Sequence, residues 1–479
     1  MSLTQDALRL LHDGALALAQ VEANGMRVDV DYLHQAIADT NSDIRELEDD
    51  IRADPIFSGW RKRFGDKTNL GSREQLAVVL SKDLGYTGVV KTEDELDSER
   101  SSLYKTDGST LDSLDNPFVK MYVRCEQLKK LANTFLAGIA RETIEGYCHP
   151  FFNLHIARTI RSSSDSPNFQ NLPIRSGEAA KLIRQAFIPR DGHCIVEIDF
   201  SGIEVRVAAC YHKDPTMLEY IRDPSKDMHR DMASQLYKLP TDTPKEWWKK
   251  KGPGGGHDVR HAAKNMYVFP QFYGDYYVNC AASMWEAIER QGMTTHDRLS
   301  LYDHLAMQGI DGRGECDPKE RPMAGTFEDH VRAVERDFWG RRFGVYGGWK
   351  KTWYEAYLRT GGFRTLTGFY ISGILGRNDV INYPVQGSAF HCLLWSLIQL
   401  QRWLAKYDMR TKIVGQIHDS MVLDVHVAEL DDVLYTAKTI MTKSLPKAWR
   451  WLIVPLDVEA EVAPAGRSWY EKQPVSIPL

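Results

Sequence analysis

"TKIVGQIHDSMVLDV", residues 411 to 425, is two short apolar runs joined by a polar pair, His418-Asp419. The apolar, β-branched character of both runs predicts two strands with the pair at their junction. An ionised Asp between Ile417 and Met421-Val422-Leu423 is costly to bury unless a counter-charge meets it. A second acid has the same setting upstream. "CIVEIDF" (194–200) is a β-rich run closing on Asp199, and a helical pattern, "GIEVRVAACYH", follows at once. Alone, Asp199 reads as a helix cap and Asp419 as a turn residue. If the two strands are neighbours, the acids converge, and convergent carboxylates repel unless a cation lies between them. Mg²⁺ accepts one or two carboxylates plus substrate phosphates. Two such ions stabilise the entering and leaving oxygens of an in-line phosphoryl displacement.

The chain is 479 residues long, too many for one ordinary core, which predicts two to four domains or subdomains. With 43% hydrophobic and 26% charged residues it falls in the ordinary globular class. A net charge of −5 gives no global basic field. The basic runs "RKRF" (61–64), "QLKKL" (127–131) and "KEWWKKK" (245–251) read as solvated faces. Seven scattered cysteines with no CxxC point to reduced thiols in a cytoplasmic setting, without a zinc site or disulfide framework. No signal peptide or apolar run of spanning length is present, so no membrane association is expected.

Residues 5 to 23 carry a helical apolar pattern that ends at an Asn24-Gly25 turn, followed by a short alternating strand, "MRVDV". A polar amphipathic helix is predicted over 31–53, a helix capped by Ser72 after it, a Ser/Asp-rich loop over 97–116, and a long helix over about 117–145. "KGPGGGHD" (251–258) and residues 307–325 read as loops, "GGFRTLTGFYISG" (361–373) as a hairpin, and 386–407 as a long buried helix. The whole is α+β.

"RHAAKNMYVFPQFYG" (260–274) places Arg260 and Lys264 four apart, on one face of a helix. A forked guanidinium beside a point-charge ammonium suits a triphosphate. An isolated RxxxK is more often a solvated pair, but this one runs into Tyr267, Phe269, Phe272 and Tyr273, which suit stacking on a base.

These residues carry a resemblance. "DFSGIEVR" (199–206) resembles the first palm motif of family A DNA polymerases, the DNA polymerase I type. "RHAAKNMYVFPQFYG" resembles the family's fingers helix and "QIHDS" (416–420) its second palm acid motif. "VEANGMRVDVDYL" (21–33), "NLGSREQLAVVL" (69–80), "TIRSSSDSPNFQNLPIR" (159–175), "DMHRDMA" (227–233) and "INYPVQGSA" (381–389) match other family segments in the same order. The resemblance implies a right-hand polymerase fold with an antiparallel-sheet palm, helical fingers and a helical thumb. Its divisions would be palm entry 1–30, thumb 31–145, palm 146–215, fingers 216–345 and palm 346–479. It implies template-directed addition of dNTPs to a primer 3′ end, with two Mg²⁺ ions, by a monomer bound to primer-template DNA.

By the same resemblance Asp199 and Asp419 hold the metal ions, with the Phe200 carbonyl as a backbone ligand. Arg260, Lys264 and His229 grip the triphosphate, Lys264 also serving as acid for the leaving pyrophosphate. Glu204 disfavours a 2′-hydroxyl, with a surface pair to Arg206 as the plainer reading, and Tyr273 stacks near the templating base. Arg161, Asn382 and Gln386 touch the primer-template minor groove, whose acceptors are alike for all correct pairs. His418 lies near the primer terminus, with Gln416 beside it.

Four positions depart from the family pattern. Position 268 is Val where the family has its stacking aromatic; anchoring from Tyr273-Gly274 selects Phe269 instead, with Tyr267 as competitor. Pro270 replaces a usual Gly, which predicts a kink or π-bulge between Lys264 and Tyr273. Gly202 stands in place of Gln, and Ser420 in place of Glu. Nothing upstream of the matched region is expected to hold a 3′→5′ exonuclease, and a compact bacteriophage replicase is the expected setting. A separate exonuclease, helicase or processivity factor would then be partners. The rival readings are a single-subunit RNA polymerase, which Glu204 argues against, and a polymerase-shaped binding protein, which the intact acids and cations argue against. "GVYGGWKKT" (344–352) does not fit a P-loop.

Overall fold

The structure is a computed structural model that describes residues 3–86, 103–112, 114–173, 177–252, 254–314 and 321–477. Parts of the loops expected over 97–116 and 307–325, the last two residues of the 159–175 segment, and Cys316 lie outside them. The helices used below are α1 (Leu3–Asn24), α2 (Val30–Ala53), α3 (Pro117–Lys130), α4 (Ile203–His212), α5 (Met228–Leu236), α6 (Gly256–Ala263), α7 (Phe269–Tyr273), α8 (Gly344–Thr360) and α9 (Arg377–Lys406). The principal sheet consists of β1 (His193–Phe200), β2 (Lys412–Ile417), β3 (Ser420–His426), β4 (Val458–Val462) and β5 (Gln473–Val475). Its order is β5-β4-β1-β3-β2 and every pairing is antiparallel.

Alternation along β1 decides what each face of the sheet does. Cys194, Val196, Ile198 and Phe200 enter one core, shared with Leu18 and Val21 of α1 and with the apolar length of α9. Ile195 enters the other core, beside Phe169, Phe187, Trp469 and the helical N-terminal third. Glu197 and Asp199 continue the Ile195 face, because side chains two apart in a strand point the same way. One face therefore runs from apolar to acidic within five residues.

The helix expected over 386–407 begins nine residues earlier, at Arg377, and runs through Pro384. A proline inside a helix frees the carbonyl four residues back. Here that carbonyl, on Val380, accepts from Trp353 Nε1 of α8 at 3.1 Å, so the group is satisfied and the helix continues. The strand expected over 26–30 is cut to Met26–Arg27, because Asp29 caps α2 by accepting from the Tyr32 amide. The helix expected over 117–145 is α3, a π turn over Leu131–Leu136 and a last helix over Ala137–Glu142, after which the chain enters a short strand. Ser72 caps its helix and 361–373 forms the hairpin, as expected. The six described cysteines are free and buried.

The segment 260–274 does not run straight. A π turn occupies Lys264–Val268, and Pro270 sits in the first turn of α7. Pro270 has no N–H to offer the preceding turn, so the extra residue is absorbed there as the expected π-bulge.

Gly387 of α9 meets the loop carrying Arg161 so closely that a Cβ would collide with the Thr159 carbonyl. Alanine is favoured over glycine in a helix interior by about 1 kcal/mol. Gly387→Ala is nevertheless expected to lower stability by about 1–3 kcal/mol, because a rigid carbonyl must move. A thermal midpoint at or above wild type would show that this approach is not tight.

Candidate active site

Asp199 is the penultimate residue of β1, and Asp419 sits in the turn joining β2 to β3. The register places Ser420 opposite Asp199, and the Phe200 amide donates to the Asp419 carbonyl at 3.4 Å. His418 holds a φ of +50°, so the turn is tight and left-handed there. Burial, then the charge of Asp419, then Glu197 and Glu459, push the Asp199 carboxyl up to about 7. Burial also raises Asp419, against the pull of Arg161 and His418. Among the described residues neither carboxylate makes an ion pair. Two hard oxygen ligands that resist ionising together fit a divalent cation. Among the described residues no group of three or more His, Cys, Asp or Glu converges to hold a metal.

A wall of two cations and a histidine stands nearby. Arg260 of α6, Lys264 at the π turn and His229 of α5 line one cavity of about 700 Å³, with Phe269 and Gly202. Asp227 organises this wall. Its carboxylate caps α5 by accepting from the His229 and Arg230 amides, both at 3.1 Å, and also takes Arg260 Nε at 2.7 Å. Burial, with Arg260 and Lys264 nearby, holds His229 down to about 4, so it is neutral at pH 7, and among the described residues its buried Nδ1 has no hydrogen-bond partner. Gly202 has a φ of +60° at the start of α4, a conformation that suits glycine better than glutamine.

A second cavity of about 220 Å³ adjoins the first and is lined by Glu204, Phe269, Tyr273, Asn382, Gln386 and Asp419. Glu204, in the first turn of α4, accepts from both the Arg161 guanidinium and the Tyr273 hydroxyl. Arg161 Nε reaches the Gln386 carbonyl at 3.4 Å, and Asn382 Nδ2 donates to the Tyr273 carbonyl at 3.0 Å. Arg206 does not pair with Glu204; it donates to the carbonyls of Ser201 and Pro455, at 2.8 and 2.5 Å. Of the two aromatics in competition, Phe269 lines both cavities, whereas Tyr267 is fully buried, edge-on to Phe338 with ring centres 5.5 Å apart.

Gln416 departs from the expected DNA-facing position. It is buried, accepting from Ser162 at 2.6 Å and Gln170 at 2.7 Å and donating to the His418 carbonyl at 2.7 Å. It shapes the turn that carries His418, which is exposed. Asp227 carries no role in the sequence reading, although an Asp directly before a helix is a capping signal. The Arg161–Glu204–Tyr273 contact joins three distant segments and leaves no local signal.

The sequence profile described as DNA polymerase family A matches residues 30–278 and 375–471. The thermostable DNA polymerase I of Thermus thermophilus is 27% identical, over 94% of this chain and 46% of that protein. The DNA polymerase I of Bacillus subtilis is 25% identical over 95% of this chain and 45% of that one, and the DNA polymerase of Bacillus phage SP01 is 24% identical over 89% and 46%. The chain thus spans about half the length of the curated relatives it matches. A solved structure, the POL domain of Pol1 from M. smegmatis in complex with DNA primer-template and dNTP, shares the fold, with a TM-score of 0.69 at 22% identity over 96% of this chain and 70% of that one. The matched segments contain both carboxylates, Glu204 and the Arg260–Lys264 wall, and the chain belongs to DNA polymerase family A.

Proposed function

We propose that this chain is a template-directed DNA polymerase that adds dNTPs to a primer 3′ end by nucleotidyl transfer, releasing pyrophosphate. One observation carries the reading. Two carboxylates without a cationic ion-pair partner among the described residues stand at adjacent strand ends, beside a cavity walled by Arg260, Lys264 and His229. Like charge on one side and opposite charge on the other is the arrangement for a bound triphosphate and the cations that accompany it.

Asp199 and Asp419 would hold two Mg²⁺ ions, with the Phe200 carbonyl as a further ligand. When bound, the ions supply Lewis acidity at the entering and leaving oxygens. Arg260, kept in place by Asp227, grips the triphosphate, and Lys264 donates a proton to the leaving pyrophosphate. His229, neutral at pH 7, offers a hydrogen bond rather than a charge. Phe269 stacks beside the incoming nucleotide, Tyr273 lies near the templating base, and Glu204 excludes a 2′-hydroxyl. Arg161, Asn382, Gln386 and His418 lie along the primer-template, with Gln416 acting through His418. In this reading residues 31–145 form the thumb and 216–345 the fingers. The phage relative supports a replicative role of that kind. Glu204 favours this reading over an RNA polymerase. No described helix is long and apolar enough to cross a membrane.

Primer extension on a primed template with Mg²⁺ tests the site. Asp419→Ala is expected to lower the rate by about a thousandfold or more; extension that persists in the variant would sink the assignment. Glu204→Ala is expected to lower the preference for dNTP over rNTP by about a hundredfold, read from single-nucleotide incorporation; an unchanged ratio would remove Glu204 from sugar selection.

Ser420 has its own test. Its hydroxyl donates to the Ile417 carbonyl at 2.9 Å and lies 3.4 Å from Glu197, which Lys472 (2.6 Å) and Trp469 Nε1 (3.0 Å) hold in place. A glutamate at 420 would confront Glu197. Ser420→Glu is expected to cost about 1–2 kcal/mol, most of it recovered when Glu197→Gln is added. Strictly additive losses in thermal denaturation would show that the two positions are uncoupled.

A further inference from the structure

Lys350 is a cation where none is expected. It lies in α8, is 7% exposed, and no carboxylate among the described residues lies within ion-pair distance. Its ammonium instead donates to the carbonyls of Gln271 and Phe272, both at 3.0 Å. It also sits 3.9 Å from the Trp339 ring centre and 5.0 Å from that of Tyr346, close enough for both rings to attract it. A buried ammonium without a counter-ion is costly. Burial, with Arg377 nearby, pulls it down to about 7.

The carbonyls it serves explain the placement. The last carbonyls of a helix have no partner within it. In α7 that of Pro270 accepts from the Gly274 and Asp275 amides, and that of Tyr273 from Asn382 Nδ2. The two between them are taken by Lys350. A five-residue helix that follows a π turn has little stability of its own. A positive charge at its C-terminus is favourable. Tyr273, whose hydroxyl meets Glu204, is the next residue after the two capped carbonyls.

We infer that Lys350 is a positioning residue for nucleotide selection: by capping α7 from α8 it holds Phe269 and Tyr273 in place, and so fixes the Tyr273–Glu204 contact. This rests on the polymerase reading above. Lys350 touches neither carboxylate nor the cationic wall, so it acts only through the helix it caps.

The test is steady-state incorporation of a single dNTP, and of the matching rNTP, by wild type and Lys350→Met, with active sites titrated from burst amplitudes. Methionine keeps the apolar stem and removes the donors. KM for dNTP is expected to rise about tenfold and the dNTP-over-rNTP preference to fall about fivefold, with kcat per active site within about threefold. A purely structural role would lower the active fraction and leave KM and the sugar preference unchanged, which would overturn the inference. If Lys350→Met does not fold, Lys350→Ala is assayed with n-propylamine, which replaces the missing stem and donors, and with 1-propanol of similar size. Recovery of KM by the amine alone supports the inference; equal recovery, or none, overturns it. No extension by wild type would overturn the polymerase reading itself, and this inference with it. Extension by wild type with an unaffected variant would overturn this inference only.

Discussion

The antiparallel pairing of β1 with β3 is the constraint on which the rest depends. It brings two carboxylates, remote in sequence, to adjacent strand ends. A one-residue slip would turn Asp199 into the core and Ile198 into the cleft. The register resists slipping because the sheet is buried on both faces, Val196 and Ile198 in one core, Ile195 and Val422 in the other. Apolar packing thus fixes the position of charge. Burial raises both carboxyls, and the charge of Asp419 adds to the rise at Asp199.

The opposite wall is built on another principle. Its side chains are held by partners on other segments of the chain. Asp227 caps one helix and, with the same carboxylate, aims Arg260 on another. Lys350 closes the end of α7, and the π turn before α7 takes up the residue that Pro270 prevents the helix from absorbing. Glu204 is shared by Arg161 and Tyr273, so a single carboxylate ties the loop before β1, the first turn of α4 and the end of α7 together. Each of these groups has its charge or its carbonyls satisfied by a partner far away in sequence, which makes the wall sensitive to the relative placement of its elements.

Ser420 belongs to the acidic face of β1. Its place opposite Asp199 lies next to Glu197, whose charge is offset by Lys472 and, at 3.6 Å, by Arg184. A neutral hydroxyl there keeps a further carboxylate out of a row that already holds Glu197, Asp199 and Glu459. The departure from the family pattern at 420 is consistent with the local charge balance.

Much of this was legible in the sequence because it rests on near neighbours. The apolar, β-branched runs in 194–200 and 411–425 predict the strands and the acids at their ends; Ser72 announces its helix; Pro270, ten residues after Arg260, announces the π turn. Where long-range partners intervene, the sequence falls short. The helix expected over 386–407 extends back through Pro384, because Trp353, thirty-one positions earlier, satisfies the carbonyl that the proline frees. Gln416 looks DNA-facing, but Ser162 and Gln170 bury it. A local pair with Arg206 is the plainer alternative for Glu204, but Arg161 and Tyr273 take that place; between Phe269, which the Tyr273-Gly274 end selects, and its competitor Tyr267, packing against Phe338 makes Tyr267 core. The sequence by itself determined the strands, their terminal acids and the cation spacing, since backbone period and local capping act over a few residues. Tertiary structure alone decided which charges meet, because a buried polar group is satisfied by whatever partner the fold brings within hydrogen-bond distance, at any separation along the chain.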